Sequence, residues 1–294
     1  MRDGAYRAQE MLVGPGRGRP ELWRLILGLL IAVAATMALS LMLRSALAIV
    51  APGALGLNSS SNTPGSLLIL LYGYACVTAG IFVAARIMQD RDARGLIGPL
   101  PLAVRQFWRV LRILVVLMFV LAILPPYDMG EELKPNLDFR AWLLLLPLSL
   151  GGVLVQTSSE EILFRGYLQQ SLAARFSSPL VWMVVPSLLF GLGHYAPAEA
   201  GQNATLVALW AVVFGVMMAD LTARAGTLGP AIALHMMNNV TALLLVSVPD
   251  TLSGLSLWVT PYTLSDAGQM RSWLLIDFGF MTVSWLAARV AIRR

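Results

Sequence analysis

The sequence predicts an all-α fold, a polytopic transmembrane helical bundle of about eight spans. Three observations predict it. Hydrophobic residues make up 57% of the 294 residues and charged ones only 13%, roughly half the charged share of an ordinary soluble domain. The mean hydropathy is +0.73, and several apolar runs approach or exceed the roughly 20 residues that cross a bilayer. Arginines recur in alternate connections, the pattern that orients membrane helices. In this class the net charge of +5 reads as topology and not as a nucleic-acid surface, so membrane lipids are the expected surroundings. The single cysteine, Cys76, excludes an internal disulfide and a multi-cysteine metal site.

Residues 1–20 are polar and hold Gly-Pro-Gly-Arg-Gly-Arg-Pro at 14–20, which reads as a flexible cytosolic tail. No small-residue cleavage site accompanies a short apolar region, so the first span is expected to be retained. Residues 21–294 read as a single transmembrane domain. Its apolar runs place spans at 24–43, 66–86, 107–124, 141–162 (its helix continuing further), 180–196, 204–222, 228–248 and 273–291. Arginine supports this count. The tail carries Arg2, Arg7, Arg17, Arg19 and Arg24, and the second connection Arg86, Arg91, Arg94, Arg105 and Arg109. Arg165 and Arg175 follow the fourth span, Arg224 the sixth, and Arg289, Arg293 and Arg294 end the chain. The alternate connections hold Arg44, Lys134, Arg140 and Arg271. Both termini are therefore expected in the cytosol; the glycine- and arginine-rich tail and the short connections point to a bacterial inner membrane. The acidic, proline-containing connection from Pro125 to Asp138 faces outside. The Pro249 to Ser272 stretch, with Trp258 and Tyr262, is expected along the outer interface. Asp220, near a helix end, is expected to reach water; Asp277, inside a span, reads as a hydrogen-bonded buried carboxyl.

The chemistry concentrates in Ser158–Gln169, read Ser-Ser-Glu-Glu-Ile-Leu-Phe-Arg-Gly-Tyr-Leu-Gln. Glu161 and Arg165 are four residues apart and share a helical face, so they read as an ion pair. Glu160 lies about 100° round the axis and is left free. An ionisable group beside or within a span is costly and marks a candidate functional site. The two histidines also fall in apolar spans, His194 in Phe190-Gly-Leu-Gly-His194 and His235 in His235-Met-Met-Asn-Asn239. His235 and Asn239 share one helical face. Each alone reads as readily as a group bonding a neighbouring helix.

Depth ties them together. Ser177-Ser178-Pro179 marks a turn, and Glu160 precedes Phe176 by as many residues as His194 follows Ser178. Equal arms of an antiparallel hairpin put both at one level, about 24 Å from the turn at about 1.5 Å per residue. The helix from Ala141 to Phe176 would run about 54 Å, longer than a hydrocarbon core of about 30 Å, so its end with Arg165 and Arg175 is expected to project into the cytosol. His235 lies roughly 10 Å in from the turn at Gly229. Glu160, His194, His235 and Asn239 are thus expected to converge on one cavity near the inner leaflet. The fifth span runs into Pro197 and Gly201 without a full crossing and is expected to end early inside the bundle.

Glu160-Glu161-x-x-x-Arg165, Phe190-x-x-x-His194 and His235-x-x-x-Asn239, in this order on apolar helices, resemble the CAAX protease and bacteriocin-processing family of intramembrane endopeptidases. That family includes the type II CAAX prenyl endopeptidases and abortive-infection or bacteriocin-immunity proteins. The resemblance covers roughly Ala141 to Leu245 and implies a catalytic core at about 141–248. It implies hydrolysis of a peptide or lipidated-peptide substrate, with Glu160 and His194 activating water and His235 and Asn239 stabilising the oxyanion. Glu161 and Arg165 would be a supporting pair. The physical reading agrees: burial makes a carboxylate more basic, and two N–H donors one turn apart can serve one developing negative charge.

Two other readings stand beside this one. Glu160, His194 and His235 form a donor set that zinc accepts in other enzymes, although no HExxH helix supplies the usual zinc-plus-base arrangement; a metal-free site with no cofactor is the favoured expectation. A non-catalytic membrane scaffold or immunity protein that retains the polar cluster is the other. A transporter is disfavoured by the absence of an inverted repeat.

Overall fold

The computed structural model describes residues 4–50, 61–124 and 132–293. Residues 125–131 of the acidic connection, and Arg2 and Arg294 of the arginine pattern, lie outside the described residues. Helices occur at all eight expected positions. They are α1 (Leu22–Val50), α2 (Pro64–Gln89), α3 (Leu100–Ile123), α4 (Phe139–Arg175), α5 (Leu180–Gly193), α6 (Ala204–Ala225), α7 (Gly229–Val240) and α8 (Ala267–Ala291). Among the described residues six helices are long and apolar enough to cross a membrane, with α6 counted from Pro197. The exceptions are α5 and α7. At about 1.5 Å per residue, α5 reaches only about 21 Å, and α7 ends at Val240 and continues as a wider π turn, Thr241–Leu245.

Local chemistry starts two of these helices. Thr63 and Ser66 form a reciprocal capping box at α2, satisfying backbone donors that the first turn leaves open. Asp138 accepts from the Arg140 and Ala141 amides at the start of α4, the same solution in carboxylate form. From Ile162 to Leu168, α4 widens into a π segment directly after the paired glutamates.

Packing places α4 at the centre of the bundle, between α2 on one side and α7 on the other. In turn α7 lies on α3, and α5 lies on α6. Gly191 permits the last approach: a Cβ there would meet the Val212 side chain and the Ala208 carbonyl oxygen. The outer faces of α1, α3 and α8 remain apolar, with Leu30, Met37, Phe119, Leu275 and Val290 all more than 60% exposed. Such faces suit contact with lipid and not with water. Beside the helices, β1 (Lys134–Pro135), β2 (Val246–Ser247) and β3 (Trp258–Val259) form a small sheet in the order β1-β3-β2. It ties the Trp258 connection to the start of α4.

Three expectations are corrected. The tail is not loose from Gly4 onwards: residues 4–16 form helical turns, and Leu12 and Val13 are fully buried. The Tyr6 hydroxyl donates to Asp220 Oδ1 at 2.8 Å, and its ring meets Trp182 edge to face at 5.8 Å. Buried Arg91 donates to the Leu12 carbonyl at 3.2 Å and also to Gln170. Second, Asp220 does not reach water; it is 5% exposed and accepts from Tyr6, Arg224 and Trp285. Third, the end of α4 is helical to Arg175, but it does not stand free. Tyr167, Gln169, Gln170, Leu172 and Ala173 are buried because the N-terminal turns and the short helix Ala93–Ile97 pack around it. Arg165 lies inside the bundle, 1% exposed.

Candidate active site

The centre of the site is the crossing of α4 and α7. Glu160 and Glu161 come from the last regular turn of α4 before its π segment, His235 and Asn239 from successive turns of α7. Arg165 Nη1 donates to Glu161 Oε1 at 3.1 Å, as the four-residue spacing requires. Its Nη2 donates to the Gly215 carbonyl of α6 at 3.1 Å. The same Glu161 Oε1 lies 2.7 Å from His235 Nδ1. Glu161 is therefore gripped from two helices, and its side chain has no exposure.

The second ring nitrogen of His235, Nε2, lies 3.5 Å from Glu160 Oε2. The Glu160 side chain is 15% exposed, so the two adjacent glutamates differ in access. Because Glu161 is acceptor-only when ionised, His235 Nδ1 carries the hydrogen, and Nε2 faces Glu160. A proton placed on Nε2 as well would be held between that nitrogen and Glu160 Oε2. The surround is aromatic. Phe214 and Phe190 meet the His235 ring at 5.1 and 6.0 Å, and the Arg165 guanidinium lies 5.0 Å from the Phe190 ring.

His194 ends α5 and takes a different place. Its Nδ1 is 2.9 Å from the Phe190 carbonyl, which makes Nδ1 the donor and leaves Nε2 as the basic nitrogen. Its ring rests on Phe190 at 4.4 Å, so Phe190 stands against both histidines. Among the described residues no hydrogen bond or ion pair joins His194 to Glu160. Glu160, Glu161, Arg165 and His235 are brought into direct contact, and His194 reaches them through Phe190. Among the described residues no group of three His, Cys, Asp or Glu side chains is arranged to hold a metal ion. Two cavities, of about 490 and 510 Å³, lie beside the N-terminal turns; none of the candidate site residues lines either.

Two site residues escape the sequence reading. Gln156, one turn before Glu160, donates to Glu160 Oε1 at 2.7 Å and accepts from Asn239 Nδ2 at 2.8 Å. Its spacing of four from Glu160 was the available signal. Tyr74 of α2 stands beside Glu160, a neighbour that only the packing of α2 on α4 reveals.

The helices that build this crossing are also those that known proteins match. A family model described as "Type II CAAX prenyl endopeptidase Rce1-like" matches residues 140–241, from the first turn of α4 into the turn after α7. The resemblance read from the motifs is borne out over that stretch. Among curated proteins, the chain is 26% identical over 188 residues to the "Uncharacterized protein YyaK" of Bacillus subtilis (strain 168). That alignment covers 62% of this chain and 61% of the relative, so the chain spans less than two thirds of the relative's length. No solved structure matches the chain.

Proposed function

We propose that the chain is an intramembrane endopeptidase of the CAAX type, hydrolysing a peptide bond of a membrane-associated or lipidated peptide. One observation carries this reading: Glu160 Oε2 and His235 Nε2, from two helices, approach to 3.5 Å inside an aromatic wall. The similarity of residues 140–241 to the prenyl endopeptidases supports it.

In this reading Glu160 is the acid and base. It takes a proton from water, the hydroxide adds to the scissile carbonyl, and Glu160 returns the proton to the leaving amine. The oxyanion is met by His235 Nε2–H, which Glu161 orients through Nδ1, and by the Asn239 amide hydrogen not given to Gln156. His194 offers Nε2 to the same water. Arg165 pairs with Glu161 and fixes its place beside His235. Zinc held by Glu160, His194 and His235 is the alternative agent, and the chelator arm of the test below decides between the two.

The test is a peptide panel that includes prenylated and unlipidated sequences, incubated with the full chain in detergent. The parent is expected to cut at least one peptide, Glu160→Ala to cut none, and a chelator to change nothing. Cleavage by Glu160→Ala at the parental rate contradicts the reading, and loss of cleavage on chelation, restored by zinc, replaces it with the metal-dependent one.

A further inference from the structure

Gln156 is buried, at 7% exposure, and joins candidate residues from two helices while belonging to none of the motifs. Its partners form a chain with one direction. Asn238 Nδ2 donates to Asn239 Oδ1 at 3.2 Å, Asn239 Nδ2 to Gln156 Oε1 at 2.8 Å, and Gln156 Nε2 to Glu160 Oε1 at 2.7 Å. A carboxylate only accepts, so Gln156 must turn its NH₂ towards Glu160. Its oxygen then faces Asn239, which must turn its own NH₂ to Gln156. The charge on Glu160 thus sets the orientation of every amide behind it.

We infer that Gln156 is a positioning residue: it occupies one Glu160 oxygen, leaving the other for chemistry, and locks Asn239 with one N–H free. With Oε1 taken by Gln156, Glu160 Oε2 is the oxygen that faces His235 Nε2, at 3.5 Å. The consequence for turnover rests on the endopeptidase reading above; the hydrogen-bond role does not. A glutamine that merely satisfied its amide in an apolar bundle would affect folding, but it would not alter proton binding at Glu160. The groups that face Glu160 are Gln156 and, behind it, Glu161 and Arg165 on α4, His235 on α7 and Tyr74 on α2.

The experiment uses the full chain in detergent with Gln156→Leu and Gln156→Glu. Leucine removes both hydrogen bonds at similar volume. Glutamate keeps an acceptor for Asn239 but sets a second carboxyl against Glu160. Two properties are followed against pH: kcat and KM for a cleaved peptide, and labelling of Glu160 by a hydrophobic carbodiimide, which attacks protonated carboxyls and is read by mass spectrometry. Loss of a donor to a carboxylate favours its protonated form, so Gln156→Leu is expected to raise the labelling midpoint by about one pH unit. Its kcat is expected to fall about tenfold with KM within about twofold. Gln156→Glu is expected to move the midpoint up as well, and it decides the matter if the leucine variant does not fold. Parental midpoints in the folded variants overturn the inference, whether or not any peptide is cut. A Glu160→Gln control separates the two ideas. If it is inactive while the Gln156 variants match the parent, the endopeptidase reading stands and the positioning role falls. If it cuts normally while the midpoints move, the reverse holds.

Discussion

Arg165 is 1% exposed, and its guanidinium is committed to Glu161 and to the Gly215 carbonyl. A buried ion pair adds little net stability, but removing one partner strands the other charge at a cost of about 3–5 kcal/mol. Arg165→Leu is therefore expected to lower the melting temperature in detergent sharply, with loss of helical signal on mild heating. A melting curve that overlays the parent would show Glu161 to be neutral or otherwise paired. This pair was legible in the sequence because spacing of four on a helix needs no knowledge of the fold. Gln156 has the same spacing from Glu160, yet its meaning depends on Asn239 arriving from α7, and no local rule supplies that. His194 shows the opposite limit. Counting residues from the turn set its level, but level does not determine where a ring points, and Phe190 holds this one by its carbonyl.

Among the elements, the helix cores followed from hydropathy and the special segments did not. The early end of α5 was legible, since Gly193-His194 runs towards Pro197 without a full crossing. The docked N-terminal turns were hidden by glycine, proline and arginine around a short apolar run, Met11-Leu12-Val13, too brief to stand out. What anchors them is Tyr6. Its phenol is held above its ordinary value of 10.0, by burial first and by the Asp220 carboxylate next, against a smaller opposing effect of Arg224. A proton held more tightly in the folded state stabilises docking fully below the ordinary phenol value, and the contribution is lost as pH rises through the raised one. An ultraviolet difference titration between the parent and Tyr6→Phe is expected to show one phenol ionising above pH 10. Trypsin at pH 8 is expected to cut after Arg7 and Arg17 several-fold faster in the variant, consistent with loss of one hydrogen bond of about 1 kcal/mol. A phenol that titrates at its ordinary value, with equal cutting rates, would leave the N-terminal turns without this anchor.

At the scale of the whole molecule, the apolar outer faces of α1, α3 and α8 suit a membrane, and the arginine pattern carries the expectation of direction. Both termini are expected in the cytosol. A cysteine placed near either end, in a chain with Cys76 replaced, should resist a membrane-impermeant thiol reagent in intact cells and react after lysis; reaction in intact cells contradicts the topology. Within that frame α4, central in the bundle, delivers two adjacent carboxylates to α7 with unequal fates: Glu161 enclosed between Arg165 and His235, Glu160 with its side chain 15% exposed and its Oε2 facing His235 Nε2. The central claim is that this inequality separates support from chemistry. The measurement that tests it most directly compares Glu160→Gln with Glu161→Gln, both assayed on the same cleaved peptide and both checked for folding by melting in detergent. The account predicts that Glu160→Gln melts near the parental temperature and cleaves at least about a hundredfold more slowly, while Glu161→Gln loses stability first. A folded, inactive Glu161→Gln beside an active Glu160→Gln would contradict it.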